Sequence, residues 1–304
     1  MFLIIGGTGS MGRAAVKRLL ELDKPTRVLT RTPEKASDLQ QLGAEIVAGD
    51  LTDAASLQRA CAGAEAIIMA AHSLLGRGKT SSAHVDGEGG KRLVDVAKAA
   101  GVKHFVYTSI FGVRPDHPVD FCRTKYAVEQ HLRASGMPFT ILRPSAFFVP
   151  HATMTGEPLL KKGKTTVFGQ GNGVRNFIYA GDVAEVALRV LDDPQARGDC
   201  IDVGGWDNLT NNQVAELYGR VAGVPVKITH VPRGVLQLMA SVIKPLQPGI
   251  STAMSFGLYS DTHNEGFDPS ALLQRYPIKL TRLEDWVRQS IAVEAAAPKL
   301  APSA

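Results

Sequence analysis

The stretch "IIGGTGSMGRAAV", residues 4–16, decides how the rest of the chain is read. Its start is strand-like, its end is helix-like, and Gly6, Gly9 and Gly12 fall between the two at a G-x-x-G-x-x-G spacing. Glycine lets a backbone turn sharply and approach a pyrophosphate, whose charge is favoured among the unpaired N–H groups at a helix N-terminus. A glycine triad alone says little, but a triad between a first strand and a first helix predicts a dinucleotide site. Thr8, Ser10 and Met11 lie in the same loop and belong to the predicted cradle.

Further short apolar runs follow: "RVLT" (27–30), "EIVA" (45–48), "AIIMA" (66–70), "HFVYTS" (104–109) and "FTILR" (139–143). They do not alternate, which suits parallel strands covered by helices on both faces. Between them Ala15, Val16, Leu19 and Leu20, then Ala54, Leu57 and Cys61, then Leu93, Ala97 and Ala100 recur at helical spacing. Thr32 before Pro33 reads as a cap and a first helical position, and Gly43 and Gly101 as helix ends. This order predicts an α/β fold, a doubly wound parallel sheet of the Rossmann type over residues 1–149.

From about Pro144 the pattern loosens, and residues 150–292 read as a smaller, interleaved C-terminal lobe on the substrate side that returns partly to the core sheet. In it, "GKTTVFGQGNGVRNFIYA" (163–180) reads as a hairpin or a glycine-rich loop. Asp182 and Glu185 have capping-box spacing. "VLQLMASVIKPLQPGI" (235–250) reads by default as a core helix, and otherwise as a cover for a lipophilic substrate or a partner subunit. The Ala- and Pro-rich residues 293–304 read as a frayed tail.

With 44% hydrophobic and 21% charged residues the 304-residue chain has the balance of a soluble globular protein. It has no apolar run of the roughly 18 to 20 residues that a membrane span needs. The first strand-like run begins directly after Met1 with no basic leader before it, which points to the cytoplasm. Cys61, Cys122 and Cys200 are odd in number, far apart and without CxxC spacing, so neither a disulfide frame nor a thiolate metal site is expected. The 34 Lys and Arg against 29 Asp and Glu are spread without a dense block. That speaks against nucleic acid and suits a positive pocket for a phosphorylated ligand.

At the end of the second strand an NAD-selective site usually offers a carboxylate to the ribose hydroxyls. Here Arg31 stands at that place, with Lys35 one turn into the next helix, and cations suit a 2′-phosphate. NADP(H) is therefore the preferred cofactor, and NAD(H) stays open. In "GDLTD" (49–53), Asp50 either accepts from the adenine amino group or caps the helix beginning near Thr52, while Leu51 could pack on the ring. Ala70 and Ala71, after the fourth strand, are further candidates for the cofactor wall.

The glycine loop, "GDLTD", "AAGVKHFVYTS" (99–109), "KYAVEQHLRASGMPFTILRP" (125–144) and "RNFIYAGDVAEVAL" (175–188) together resemble the atypical short-chain dehydrogenases/reductases, most closely the NmrA-like NAD(P)H-binding group. The resemblance implies a Ser that orients a carbonyl, a Tyr that exchanges the proton, and a Lys four residues on that binds the nicotinamide ribose. Ser109 and Lys125 match two of these catalytic positions, and Phe121 stands in the place of the tyrosine. A general acid contributes about 10² to 10⁴-fold, so carbonyl reduction by the usual route should be badly impaired. A quinone-like acceptor relaxes the demand, because its product anion is resonance-stabilised. Tyr126 faces about 100° away from Lys125 on a helix and is a poor replacement. Tyr107 shares side parity with Ser109 but reads as core, and His117 as a solvated loop histidine.

By the same resemblance "RPSAFFVP" (143–150) passes the nicotinamide, so Pro144, Ser145, Phe147 and Phe148 could line a flat apolar pocket, the two phenylalanines being equally suited to the lobe core. "HSLLGRGKTSSAHVD" (72–86) reads as a flexible lid or an ordinary surface loop. Two functions follow. One is an NADP(H)-dependent oxidoreductase that passes hydride to a small lipophilic, quinone- or enone-like acceptor. The other is a non-catalytic NADP(H)-binding redox sensor or assembly factor with a protein partner. Monomer and homodimer are both open.

Overall fold

The computed structural model of the chain describes residues 1–296. Its first half alternates β1 (Phe2–Ile5), α1 (Ser10–Glu21), β2 (Thr26–Thr30), α2 (Ser37–Gln41), β3 (Glu45–Ala48), α3 (Ala54–Cys61), β4 (Ala66–Met69), α4 (Gly90–Ala99), β5 (His104–Thr108), α5 (Asp120–Ala134) and β6 (Phe139–Pro144). The second half runs β7 (Ala146–Phe147), α6 (Thr153–Lys162), β8 (Thr165–Phe168), β9 (Arg175–Ile178), α7 (Ala180–Asp192), β10 (Cys200–Val203), β11 (Asp207–Leu209) and α8 (Asn211–Ala222). It ends with β12 (Ile228–Val231), α9 (Arg233–Ile243), α10 (Pro248–Ser260), α11 (Ser270–Arg275) and α12 (Leu283–Ala296).

Among the described residues seven strands form the main sheet in the order β10-β6-β5-β4-β1-β2-β3, all parallel. Alternate residues of each strand feed opposite cores. On β1, Ile4 joins Val16, Leu19, Val183 and Val186 beneath α1 and α7. Leu3 and Ile5 join Leu57, Leu93 and Leu132 beneath α3, α4 and α5 on the other face. The fold is thus a Rossmann-type doubly wound α/β sheet. The strand order reverses between β1 and β4, and the crevice outside their carboxyl ends is where ligands bind in such sheets.

The second half does not stand apart. β10 pairs with β6, setting Cys200 opposite Ile141, and α7 packs on α1. The remaining strands make a three-stranded sheet, β11-β9-β7, and a two-stranded one, β12-β8. A separate apolar core joins Phe148, Phe177, Tyr218 and Leu283.

Three local expectations differ from what is found, and of the two alternatives for residues 163–180 the glycine-rich loop is the one present. The arms around "GQGNG" form no hairpin, because β8 pairs with β12 while β9 pairs with β11 and β7. The loop between them is held from outside, with Gly171 N–H donating to Asp261 Oδ1 at 2.8 Å. Asp182 is not a cap. Its helix begins two residues earlier, and its buried carboxylate accepts from Thr281 N at 2.7 Å and Thr281 Oγ1 at 3.0 Å. The stretch 235–250 is no core helix, since α9 buries only Leu236 and Ala240 and leaves Val235, Leu238, Met239 and Val242 exposed. Finally, residues 293–296 continue α12 instead of fraying, and the rest of the expected tail lies outside the described residues. No helix among the described residues is long and apolar enough to cross a membrane.

Candidate active site

The glycine loop closes on itself at the carboxyl end of β1. Gly9 N–H donates to Gly6 O at 3.0 Å, and Gly6 takes a left-handed φ of 86°. A Cβ on Gly12 would stand 2.3 Å from Gly6 O, and one on Gly6 2.7 Å from Ala71 N. Only hydrogen fits at either position. Gly9 is the N-cap of α1 and offers no side-chain acceptor, which leaves the first N–H groups of the helix to a ligand. A cavity of about 350 Å³ opens here, lined by Gly6, Thr8, Gly9, Ser10, Met11 and Gly12, by Arg31, Asp50 and Leu51, and by Ala70 and Ala71. A backbone cradle that any Cβ would fill, with a cation on the far wall, fits a dinucleotide phosphate.

Of two further residues expected at this cavity, Asp50 lines it and Lys35 does not. Asp50 does not cap the following helix, for α3 is capped by Asp53, which accepts from Ala55 N at 3.0 Å and Ser56 N at 3.2 Å. Asp50 Oδ1 instead accepts from Thr52 N and Oγ1 at 2.8 Å each, and Oδ2 lies 3.8 Å from Arg31 Nε. Lys35 is not part of the lining. It sits in a short 3₁₀ turn, Pro33–Ala36, whose Lys35 carbonyl accepts from Arg13 Nη2 at 2.8 Å. Arg13 also pairs with Asp38, so its role is to brace this turn against α1.

A second cavity of about 180 Å³ adjoins the first and shares Met11, Ala70, His72, Phe147 and Pro150 with it. Its walls are mostly apolar: Leu74, Ile110, Phe111, Phe121, Pro144 and Phe256. Ser109, Lys125, Ser145, His151, Arg175 and Glu265 supply the polar groups. Lys125, on α5, is 3% exposed; its Nζ donates to Thr108 O at 3.1 Å and lies 3.6 Å from Asp86 Oδ1. The ammonium stands 5.0 Å from the Tyr107 ring centre and 5.8 Å from that of Phe121. Burial pulls the Lys125 pKa down and Asp86 pulls it back. Ser109 Oγ is buried without a hydrogen-bond partner, which leaves it a free donor on the cavity wall. Ser145 Oγ is spent on Asn176 Oδ1 at 2.7 Å.

Phe148 belongs elsewhere. It is 1% exposed and packs in the lobe core against Tyr179 and Trp286, ring centres 6.1 and 5.8 Å away. Phe147 ends β7 and Phe148 opens the helical segment Phe148–Ala152, and the change of backbone direction between them sends the two rings to different sides. His117 is not a solvated loop residue. It is 2% exposed, its Nδ1 accepts from Val119 N at 3.1 Å, and its ring centre lies 4.5 Å from that of Tyr259 on α10. Tyr107 is core, and burial together with Asp86 and Glu129 raises its phenol well above the ordinary range. Tyr126 lies outside both linings.

Sequence reasoning missed Asp86, His72, His151, Arg175 and Glu265 as site residues. Asp86 closes the 72–86 stretch from inside a helical segment, Ala83–Gly89, where its Oδ2 accepts from Ser73 N at 2.9 Å. Burial beside Arg175 pushes His151 down to about 3, and burial lowers Arg175 to about 10 and raises Glu265. These residues sit on loops, a short strand and short irregular helical segments where no period marks them. Among the described residues no group of three or more His, Cys, Asp or Glu is placed to hold a metal.

A parallel sheet with a glycine-cradled cavity at its switch point defines a dinucleotide-binding protein of the Rossmann class. The chain belongs to the NmrA-like family, whose description matches residues 1–290. It is 31% identical over 227 residues to an NAD(P)H azoreductase of Xenophilus azovorans, which covers 75% of this chain and 76% of that protein. A photosystem II assembly factor of Trieres chinensis is 27% identical over 290 residues, or 93% of this chain and 90% of the relative. Among solved structures, an NADPH-dependent quinone oxidoreductase of Escherichia coli in complex with NADPH superimposes with a TM-score of 0.78 at 22% identity, covering 96% of this chain and all of that one, 100%.

Proposed function

We propose that the chain is an NADP(H)-dependent reductase that transfers hydride to a small, flat, lipophilic acceptor of the quinone or enone type. The observation that carries this reading is the junction of the two cavities. A glycine-floored one, the more polar of the two, runs directly into an apolar one whose walls include Phe111, Phe121, Phe147 and Phe256. Bound NADPH would supply the hydride. Gly6, Gly9 and Gly12 would let the pyrophosphate approach the start of α1, and Arg31 would meet the 2′-phosphate. Leu51 would pack on the adenine and Asp50 would accept from its amino group. Ala70, Ala71, Pro144 and Phe147 would wall the nicotinamide, and Lys125 would hold its ribose. Ser109, with an unspent hydroxyl, would donate to the acceptor oxygen. Phe121 would exclude water beside it.

The test is a fluorescence titration with NADPH and NADH, followed by a panel of quinones and enones. The reading expects NADPH to bind more tightly and to be consumed with at least one acceptor, at a rate lost in Lys125→Ala.

A second reading, a cofactor-binding sensor or assembly factor without turnover, is favoured by Phe121 in place of the acid and by the apolar face of α9. It expects tight NADPH binding, no consumption by any acceptor, and a partner whose affinity changes with cofactor occupancy.

A further inference from the structure

Resting on the reductase reading, we infer that His72 donates the proton to the reduced acceptor, in place of the phenol that Phe121 lacks. Of the titratable side chains around the two cavities, His72 is the one that lines both. Its ring stands edge-on to Phe121, centres 6.4 Å apart and planes at 70°, so it borders the position where a phenol at residue 121 would act. The residue is exposed to the cleft, and neither ring nitrogen is hydrogen bonded to another described residue. His104 and His117, by contrast, are spent on Thr140 and Val119.

The other titratable groups fit the role less well. The Tyr107 hydroxyl is sealed in the core, and Lys125 is engaged by Thr108 O and Asp86. His151 lines only the apolar cavity, as does Glu265, which faces Arg175. Although its edge is open to the cleft, the surrounding walls desolvate His72 and, with the Lys125 charge, pull its pKa below 6.5, while Asp86 raises it; His151 stands nearby. The imidazolium is therefore a minority form at neutral pH, and it grows as pH falls. A poised acid of this kind gives up its proton readily to a developing oxyanion.

In the step itself the acceptor carbon gains a hydride with its electron pair, and the cofactor is oxidised by those two electrons. The carbonyl π pair moves to oxygen, an O–H bond forms as an N–H bond of the His72 imidazolium breaks, and solvent returns the proton to the ring. One hydride on a ring carbon and one proton on oxygen take a quinone to the keto tautomer of its hydroquinone, and loss of that ring C–H proton to solvent with protonation of the second oxygen completes the conversion.

The experiment compares wild type, His72→Gln, Glu265→Gln and the double variant Phe121→Tyr/His72→Gln. NADPH affinity and thermal midpoint should stay near wild type in His72→Gln, while turnover of an enone falls about 10²-fold and the rise of rate toward acid pH is lost. The double variant should recover much of that rate, because the phenol returns. A readout apart from turnover is the affinity of the NADP⁺ complex for 4-nitrophenol, standing in for the reduced acceptor. Neutral His72 accepts from its hydroxyl, so His72→Gln should bind it about fivefold more weakly. Wild type that consumes NADPH while His72→Gln keeps both the rate and its pH dependence would overturn this inference and leave the reductase reading standing. Loss of the acid limb in Glu265→Gln in its place would overturn it equally. Wild type that consumes NADPH with no acceptor overturns the reductase reading and this inference with it.

Discussion

Lys125 Nζ lies 3.6 Å from Asp86 Oδ1, with the two side chains 4% and 0% exposed. Removing one partner of such a pair leaves a charge buried without compensation, which costs about 3 to 5 kcal/mol. Asp86→Asn should therefore lower stability by that order, measured by urea unfolding. The apolar double variant Asp86→Leu/Lys125→Met should regain most of the loss, since well-packed apolar replacements of buried pairs are often neutral. An Asp86→Asn protein as stable as wild type would show that water reaches the pair.

Arg31 is 56% exposed at its side chain and keeps only a 3.8 Å approach to Asp50. It is free to meet a phosphate. Arg31→Ala should weaken NADPH binding at least tenfold, about 1.4 kcal/mol, and leave NADH binding within about twofold. Equal losses for both cofactors would mean that Arg31 stacks on the adenine instead.

Two of the loop glycines differ in what they tolerate. Gly12→Ala would drive its Cβ to 2.3 Å from the Gly6 carbonyl oxygen, so the loop must open and NADPH binding should be abolished with a lower thermal midpoint. At Gly9 the nearest atom to an added Cβ is the same oxygen, at 3.4 Å. Gly9→Ala should leave the thermal midpoint nearly unchanged and weaken only the cofactor. Calorimetry on the two variants with and without NADPH separates the effects.

His104 should give the fold an acid sensitivity. Thr140 Oγ1 donates to Ala196 O at 2.7 Å, so it accepts from His104 Nε2–H, and Nδ1 is left buried without a partner. Burial, with Arg197 nearby, lowers the pKa from 6.5 to about 4. The unfolded chain then binds the proton more readily than the fold does. Stability contributed by the neutral ring is present above about pH 6.5 and is lost as pH falls toward 4. Between pH 7.5 and pH 5 this amounts to about 2 kcal/mol. His104→Gln should shrink the difference between urea midpoints measured at those two pH values. An unchanged difference would assign the acid sensitivity to other groups.

Much of the frame was legible from residues 2–143 because buried parallel strands announce themselves as apolar runs and their helices as faces of period 3.6. Lys125 was legible too, at a fixed distance from Phe121 on one helix. The partner of Lys125 was not. Asp86 comes from another element, and only the packing of Ala83–Gly89 beside α5 brings them together. His72 and Phe148 show the same limit from two sides, one a loop residue that the fold turns into the cleft, the other an apparent pocket residue that it turns into the lobe core. In the C-terminal half, pairing partners such as β8 with β12 are far apart in sequence, and local pattern carries no trace of them.

The pairing of β10 with β6 also sets a timetable. A ribosome delivers β6 on the order of 50 residues before its outer neighbour, an interval of several seconds at about 5 to 20 residues per second. Throughout that interval the nascent sheet carries an open, apolar edge, the kind of surface that seeks another chain. Full-length protein closes it from within. A gene cut after the first lobe would never do so, and its product should accumulate as aggregate however well its nucleotide loop is formed.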